Sequence, residues 1–357
     1  MKGIEMTAPK VRVGLVGCGR IAVTHATALD QLDEAEFVAC CDRDVERAKQ
    51  MAADHSVPNV FGDAAELFAS GLIDAALVCT PHPAHEPVVV AAAKAGIHVL
   101  CEKPISASLA EADRMIAACK EAGTKFGVIF QRRFWPASQR IRKAIDDGKL
   151  GNLTLGECIV RIWRPQEYFE SDPWRGKWAT EGGGVLMNQA VHSIDHFQWF
   201  MGKAVEVTGR YATLKHGAYI DVEDTAVAVV KFENGALGVI EAASTVQPNI
   251  GFRVSVHGDT GATVSSWEDP EGALGVNDVW SIPGEESLRE TWEAEDKAKP
   301  GFPSYHVLQI QEFLQSVQQD RRPAVTGEDA RKSLEIILAI YESSRTGLPV
   351  KLPMTSA

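Results

Sequence analysis

The sequence predicts two domains in tandem. The first is a doubly wound α/β domain built on a parallel sheet. The second is an α+β domain with an open, mostly antiparallel sheet. Three observations predict this. Over about the first 125 residues, short apolar runs alternate with helix-patterned stretches closed by glycine, as a parallel sheet covered on both faces requires. After about residue 150 the runs lengthen, alternate in polarity and are joined by tight-turn signals. The chain has 357 residues, a length that suggests two domains. The expected division is 1–130 and 131–357.

Taken in order, Val11 to Val16 reads as a short buried strand and Ile21 to Leu29 as the helix after it. Phe37 to Cys41 is a second strand and Val45 to Asp54 a second helix. Ala75 to Cys79 is a third strand, and His85 to Ala95 a helix ended by Gly96. Ile97 to Cys101 is an apolar strand, Leu109 to Ala122 a helix ended by Gly123, and Phe126 to Phe130 a further strand. In the second domain Leu153 to Trp163 is strand-like. Val222 to Phe232 and Ala236 to Ala243 flank Glu233-Asn234-Gly235, a hairpin signal. Phe252 to His257 and Ala262 to Trp267 flank Gly258-Asp259-Thr260-Gly261, a second one. Residues 268–303, rich in Glu, Pro, Gly and Trp, carry no periodicity that assigns them. Tyr305 to Gln318 and Asp329 to Thr346 read as two closing helices.

Composition narrows the function classes. The chain is 45% hydrophobic and 24% charged, ordinary for a globular protein. A formal net charge of −12 disfavours a nucleic-acid partner, because phosphate binding needs a basic surface, and an anionic membrane surface for the same reason. Seven cysteines are scattered without a C-x-x-C pair and mostly inside strand-like runs, which fits a reducing, cytoplasmic setting. Met1 to Met6 has no apolar core, so no signal peptide is expected, and no stretch is long and apolar enough to span a bilayer.

The candidate cofactor site begins at Gly17-Cys18-Gly19-Arg20-Ile21-Ala22, between the first strand and first helix. Glycines there permit a tight turn and close approach of backbone to a pyrophosphate seated on the helix N-terminus. Alone the motif is weak; the strand–turn–helix context strengthens it. Asp42, at the end of the second strand, is placed to accept hydrogen bonds from both ribose hydroxyls of an adenosine and to repel a 2′-phosphate. NAD is therefore expected ahead of NADP, with Arg43 able to soften the preference. Thr80 and Pro81 follow the third strand, where they would line the floor under the nicotinamide half. His82 and His85 are secondary cofactor contacts.

Glu102-Lys103-Pro104 ends the strand Ile97 to Cys101, and open α/β sheets bind their ligands at such carboxyl ends. An isolated Lys-Pro pair reads as one more solvated loop lysine; the rest of the N-terminal third changes that. Beside a cofactor, Lys103 is placed to touch the reacting oxygen of a substrate. Gly182-Gly183-Gly184 opens a helix carrying Asn188 and His192 on one face, with Asp195 one turn on. His192 has two readings: a core histidine satisfied by Asp195, or a neutral imidazole that accepts an alcohol proton. Asn188 is a poor metal ligand and no second ligand cluster is visible, so no metal is expected. Trp163-Arg164 and Trp174-Arg175 bring indoles and guanidiniums together, either as packing or as faces and donors for a sugar ring.

These motifs together resemble the Gfo/Idh/MocA oxidoreductase family over nearly the whole length. The resemblance rests on Gly17-x-Gly19-x-x-Ala22, Thr80-Pro81-x-x-x-His85, Glu102-Lys103-Pro104, Gln131-Arg132-Arg133-Phe134, and Gly182-Gly183-Gly184 leading to His192-x-x-Asp195. It implies a Rossmann domain, a C-terminal α/β domain whose open sheet makes dimers or tetramers, and NAD(P)-linked oxidation of sugars or cyclitols. It implies Lys103 and His192 as catalytic residues. The cofactor contacts would be Gly17, Gly19, Arg20, Ile21, Asp42, Arg43, Thr80, Pro81, His82, His85, Glu102 and Gln131. The substrate contacts would be Lys103, Trp163, Arg164, Trp174, Arg175, Asn188 and His192. Many members carry aspartate where this chain has Asn188 and glycine where it has Ala190, which puts myo-inositol in doubt as substrate. The family also contains non-catalytic nucleotide-sensing proteins, and an intact Lys103 and His192 favour the enzyme.

Overall fold

The computed structural model describes residues 9–299 and 304–355. The signal-peptide reading of Met1 to Met6 and the last four positions of the unassigned stretch 268–303 lie outside the described residues. In chain order the first part comprises β1 Val11–Val16, α1 Arg20–Leu29, β2 Ala35–Cys41, α2 Val45–Asp54, β3 Asn59–Phe61, α3 Ala64–Ala69, β4 Ala75–Val78, α4 His85–Lys94, β5 His98–Cys101, α5 Leu109–Ala122 and β6 Phe126–Val128. The six strands form one all-parallel sheet in the order β3-β2-β1-β4-β5-β6. Its direction of winding reverses between β1 and β4, and a crevice outside the carboxyl ends is the expected result. Val16 sits opposite Cys41 and Val78, and Val78 opposite Cys101, so β1, β2, β4 and β5 end level. The residues that follow each of them emerge at one edge.

The second part begins with α6 Pro136–Asp146, β7 Leu153–Arg161, α7 Gln166–Glu170 and α8 Trp178–Glu181. A π-helical turn, Leu186–Ala190, leads into α9 Val191–Met201. Then come β8 Ala204–Ala212, β9 Thr225–Phe232, β10 Leu237–Ala243, β11 Gly251–Gly258, β12 Thr263–Glu268, α10 Leu288–Lys297, α11 Ser304–Gln318, α12 Gly327–Thr346 and β13 Val350–Lys351. The seven strands run in the order β12-β11-β7-β10-β9-β8-β13, antiparallel throughout except for β7 beside β10. Both expected hairpins form, β9 with β10 and β11 with β12.

Contacts divide the chain into two units, and the division is not one cut at 130. The first unit takes in the described residues up to Ile105, Glu111–Ile129 and His306–Glu328. The second takes in Ser106–Ala110, Phe130–Tyr305 and the described residues from Asp329 onward. The chain thus returns to the parallel sheet after building the second one. The cause is the apolar face of α11. Ile310, Phe313 and Leu314 are one helical stripe, and they join Leu15, Leu77, Leu100 and Ile129 in the first unit's core. Gln309 fastens the helix by donating to the Val128 carbonyl at 2.8 Å. Among the described residues, no helix is long and apolar enough to cross a membrane.

Candidate active site

The first unit supplies a nucleotide cradle. Gly17 has φ of +92°, and a Cβ there would lie 2.8 Å from the backbone of Cys79 and Thr80. Only glycine lets β1 turn that close to the end of β4. Gly19, the N-cap of α1, has ordinary φ, and a Cβ there would meet nothing within 4 Å. No packing reason demands that glycine. It leaves bare backbone facing open space at a helix N-terminus, which suits the approach of a pyrophosphate.

Asp42 accepts from the Cys18 amide at 2.7 Å and from the Asp44 amide at 2.8 Å. It therefore anchors the glycine turn, and a carboxylate so engaged retains lone pairs for hydroxyls. Arg20 and Arg43 are exposed, and Ile21 is half-buried against the core. Thr80 Oγ1 is buried and has no hydrogen-bond partner, an orphan of the kind a bound polar group satisfies. These features fit NAD on the glycine turn, Asp42 and Thr80-Pro81.

Two residues expected as cofactor contacts do other work. His85 is 0% exposed; its Nε2 faces the Thr80 carbonyl at 2.9 Å and its Nδ1 the Pro104 carbonyl at 3.0 Å. It ties the turn after β4 to the turn after β5 and has no surface to offer a ligand. Burial pulls its pKa down against the pull of those carbonyls. Glu102 is also buried. One oxygen meets His25 Nε2 at 2.7 Å, and the other accepts the Lys103 amide at 3.0 Å. Burial would raise its pKa, but His25 and the nearby His306 and Lys103 hold it down at about 2. Glu102 is thus a buried anion that fixes the backbone of Lys103. His82 is buried with its ring 5.8 Å from that of His85.

The second unit holds the residues expected to meet a substrate. His192 is buried on the first turn of α9, its ring edge-on to Phe130 at 5.6 Å. Asp195 does not serve it. That carboxylate receives a bidentate pair from Arg133, both bonds at 2.6 Å, and the Ser333 hydroxyl at 3.0 Å. The reading of His192 as a core histidine held by Asp195 is therefore excluded: a planar guanidinium matches a carboxylate in two bonds, where an imidazole offers one. Asn188 donates to Glu181, whose other oxygen accepts the Gly176 amide at 2.5 Å. Gln131 lies in this unit, and its Oε1 is buried without a hydrogen-bond partner.

The indole and guanidinium cluster is organised around a residue the sequence reading did not select, Tyr168. The Arg164 and Arg175 guanidiniums lie 4.8 and 4.5 Å from its ring centre. Its hydroxyl receives Arg175 at 2.5 Å and Gln189 at 2.8 Å. Arg164 pairs with Glu271 and Arg175 with Asp172. Trp174 stacks on Arg175 at 4.6 Å, while Trp163 packs against His216 at 5.5 Å. The only sequence sign of Tyr168 was its position between the two Trp-Arg pairs.

Strand order, glycine turn and a lysine at the end of β5 define a dinucleotide-dependent oxidoreductase class. The chain belongs to the Gfo/Idh/MocA oxidoreductase family: its NAD-binding Rossmann-fold domain matches residues 11–130 and its C-terminal alpha/beta domain residues 142–352. The chain is 29% identical over 346 residues to myo-inositol 2-dehydrogenase of Thermotoga maritima, covering 96% of this chain and 98% of that one. It is 26% identical over 373 residues to D-apiose dehydrogenase of Paraburkholderia graminis, covering 98% and 92%. Among solved structures it is similar to the WlbA dehydrogenase of Bordetella pertussis in complex with NADH and UDP-GlcNAcA. The TM-score is 0.90 at 32% identity, covering 98% of this chain and 100% of that one.

Proposed function

We propose that this protein oxidises a secondary hydroxyl of a sugar ring that carries negative charge, free or nucleotide-linked, with NAD preferred to NADP. NAD, when bound, supplies the hydride acceptor. The chain's own residues do the rest. Lys103 hydrogen-bonds the reacting oxygen through its ammonium group, and His192 accepts the hydroxyl proton. Asn188 and Gln189 hold neighbouring hydroxyls. Asp42 selects the unphosphorylated ribose by repelling a 2′-phosphate.

The observation that carries the charged-substrate reading is the Arg164–Tyr168–Arg175 cluster. Each guanidinium is largely covered, 15% and 12% exposed, yet its carboxylate partner is 37% and 36% exposed. Ion pairs with half-exposed carboxylates contribute little, so an incoming carboxylate or phosphate replaces one at small cost. Likeness to a dehydrogenase complexed with UDP-GlcNAcA supports the same class. The test is NAD reduction against UDP-GlcNAcA, UDP-GlcNAc, myo-inositol, D-apiose and D-glucose. Turnover should favour the uronate at least tenfold, and Arg164→Ala or Arg175→Ala should erase that preference. Turnover of neutral rings alone would leave the sugar reading and remove the charge. NAD binding with no turnover of any ring would favour the sensor reading.

The outer face of the second sheet exposes Leu155, Val227, Val229, Leu237 and Val239, with Val229 directly opposite Val239. We assign this face to a second copy of the chain, and Val229→Glu should yield monomers by sedimentation. All seven cysteines are free and buried, which supports the reducing interior of the cytoplasm as its place of work.

A further inference from the structure

We propose that Glu223 and Tyr341 form a latch that positions the turn carrying Asn188 and His192, and that ionisation of Glu223 weakens the closed latch. Glu223 lies two residues before β9. Its carboxylate accepts the Gly184 amide at 2.7 Å and the Leu186 amide at 2.9 Å, and its own carbonyl accepts the Val185 amide at 3.1 Å. One residue thus satisfies three successive amides at the start of the π-helical turn, the donors a helix leaves orphaned. The Tyr341 hydroxyl, from α12, donates to the same carboxylate at 2.9 Å.

The latch also explains the glycines. A Cβ on Gly184 would lie 1.8 Å from the Glu223 carbonyl oxygen, and one on Gly183 would lie 2.2 Å from the Tyr341 hydroxyl. At Gly183 and Gly184 the latch leaves no room for a side chain; at Gly182 the obstruction is Ala107. Asn188 then follows one turn on, its amide bonded to the Gly184 carbonyl at 3.0 Å. A displaced Gly184 displaces Asn188, and with it the entry to α9 and His192.

The partners of the buried carboxylate are neutral donors: two amides and a phenol. Burial outweighs them and pushes its pKa up to about 7. Glu181, on α8, acts on Tyr341 from the other side and adds negative charge. Asp224, adjacent in sequence, is turned away to the amides of Leu214, Lys215 and His216. Opening the latch hydrates the carboxylate and favours its anion, so the closed latch holds the proton more tightly and opens more readily as pH rises.

The test is amide hydrogen exchange in the full chain, corrected for intrinsic rates, at pH 6 and pH 8. In the wild type, protection of Gly184 and Leu186 should fall about tenfold between the two, because the opened carboxylate gives up its proton more readily than the buried one. In Glu223→Gln it should be the same at both. Tyr341→Phe, a milder variant, removes one donor to the ionised form, so the midpoint should move to higher pH. Equal protection at the two pH values in the wild type, or an unmoved midpoint in Tyr341→Phe, would overturn the proposal. A merely structural role would lower the melting temperature of Tyr341→Phe without moving that midpoint. The link to His192 rests on the function proposed above. With UDP-GlcNAcA as probe, Glu223→Gln should lower kcat about tenfold and leave NAD affinity unchanged. If no sugar turns over but the exchange behaves as stated, the latch stands and the proposed function falls.

Discussion

Two buried glutamates, one in each unit, are held in opposite ways. Glu102 in the first unit faces a histidine ring at 2.7 Å, and its pKa is held at about 2. Glu223 in the second unit faces two amides and a tyrosine hydroxyl, and its pKa is pushed up to about 7. Burial disfavours the anion in both. The histidine contact, with His306 and Lys103 nearby, outweighs that cost, and three neutral donors do not. Lys103 is therefore seated on a group that stays charged under all ordinary conditions. The turn before His192 is seated on one that titrates near neutrality. The difference lies in the partners, since residue type and depth are the same.

The largest expected effects fall on the reactive groups themselves. Lys103→Met should remove about 3 to 4 kcal/mol of barrier lowering, the magnitude of one lost donor to a developing oxyanion. His192→Gln should cost about 10²- to 10⁴-fold in rate, the span of a lost acid–base group. Both should leave NAD affinity within about twofold by fluorescence titration, because the dinucleotide is proposed to be held by the glycine turn and Asp42. A loss of NAD affinity in Lys103→Met would mean that the lysine organises the cradle, and the two halves would no longer be separable.

The next effect separates the glutamates directly. Glu102→Gln leaves His25 without its anion and should destabilise the fold by about 3 kcal/mol or more in denaturant titrations at pH 7. Glu223→Gln exchanges a buried charge for a neutral amide and should fall within about 1.5 kcal/mol of wild type. Equal losses would show that burial alone sets the behaviour of both.

Stability against pH should carry the same contrast with opposite signs. The Glu102 pKa is lowered on folding, so its contribution is present above about 4.5 and is lost as pH falls toward 2. The Glu223 pKa is raised, so the folded state binds the extra proton and stability falls as pH climbs from about 4.5 to 7. Each limb is worth about 3 kcal/mol. Glu102→Gln should flatten the acid limb and Glu223→Gln the neutral one. A single variant that flattens both would break the assignment.

The same contrast explains what the sequence disclosed. The parallel sheet was legible because each strand is a contiguous apolar run with its own closing signal: Val45–Asp54 and Leu109–Ala122 end where the pattern ends. The glycine turn, Asp42 and Lys103 sit at strand ends, where register fixes function. Short elements escaped notice. β3 has three residues, and β8 interleaves valines with Glu206, Thr208 and Arg210. The home of α11 also escaped, since an apolar stripe says that a helix packs and not against what. The site's supports, His25 under Glu102, Arg133 on Asp195, and Glu223 and Tyr341 on the glycine run, join residues from 37 to 118 positions apart. No local pattern records such pairs. The three glycines did mark where one of them lay.

The smallest expected effect concerns Asp42. Its carboxylate has two tasks, and they pull a substitution in different directions. It is proposed to repel a 2′-phosphate, and Asp42→Ala should relieve that repulsion of NADP. It also anchors the Cys18 and Asp44 amides, so the same change should loosen the turn and lower affinity for both dinucleotides. The anchor bonds are charge-assisted, and losing them should cost about 1 to 2 kcal/mol in NAD binding. Relief of repulsion should offset much of that for NADP, with exposed Arg43 beside it to meet the phosphate. NAD should therefore weaken about tenfold and NADP by less, so that the gap narrows without reversing. Asp42→Asn separates the tasks: its amide oxygen still accepts one anchor bond while the charge is gone, and the gap should narrow with less loss of NAD. Wild-type affinity greater for NADP than for NAD would mean that Arg43 overrides the carboxylate, and the selection assigned to Asp42 would fall.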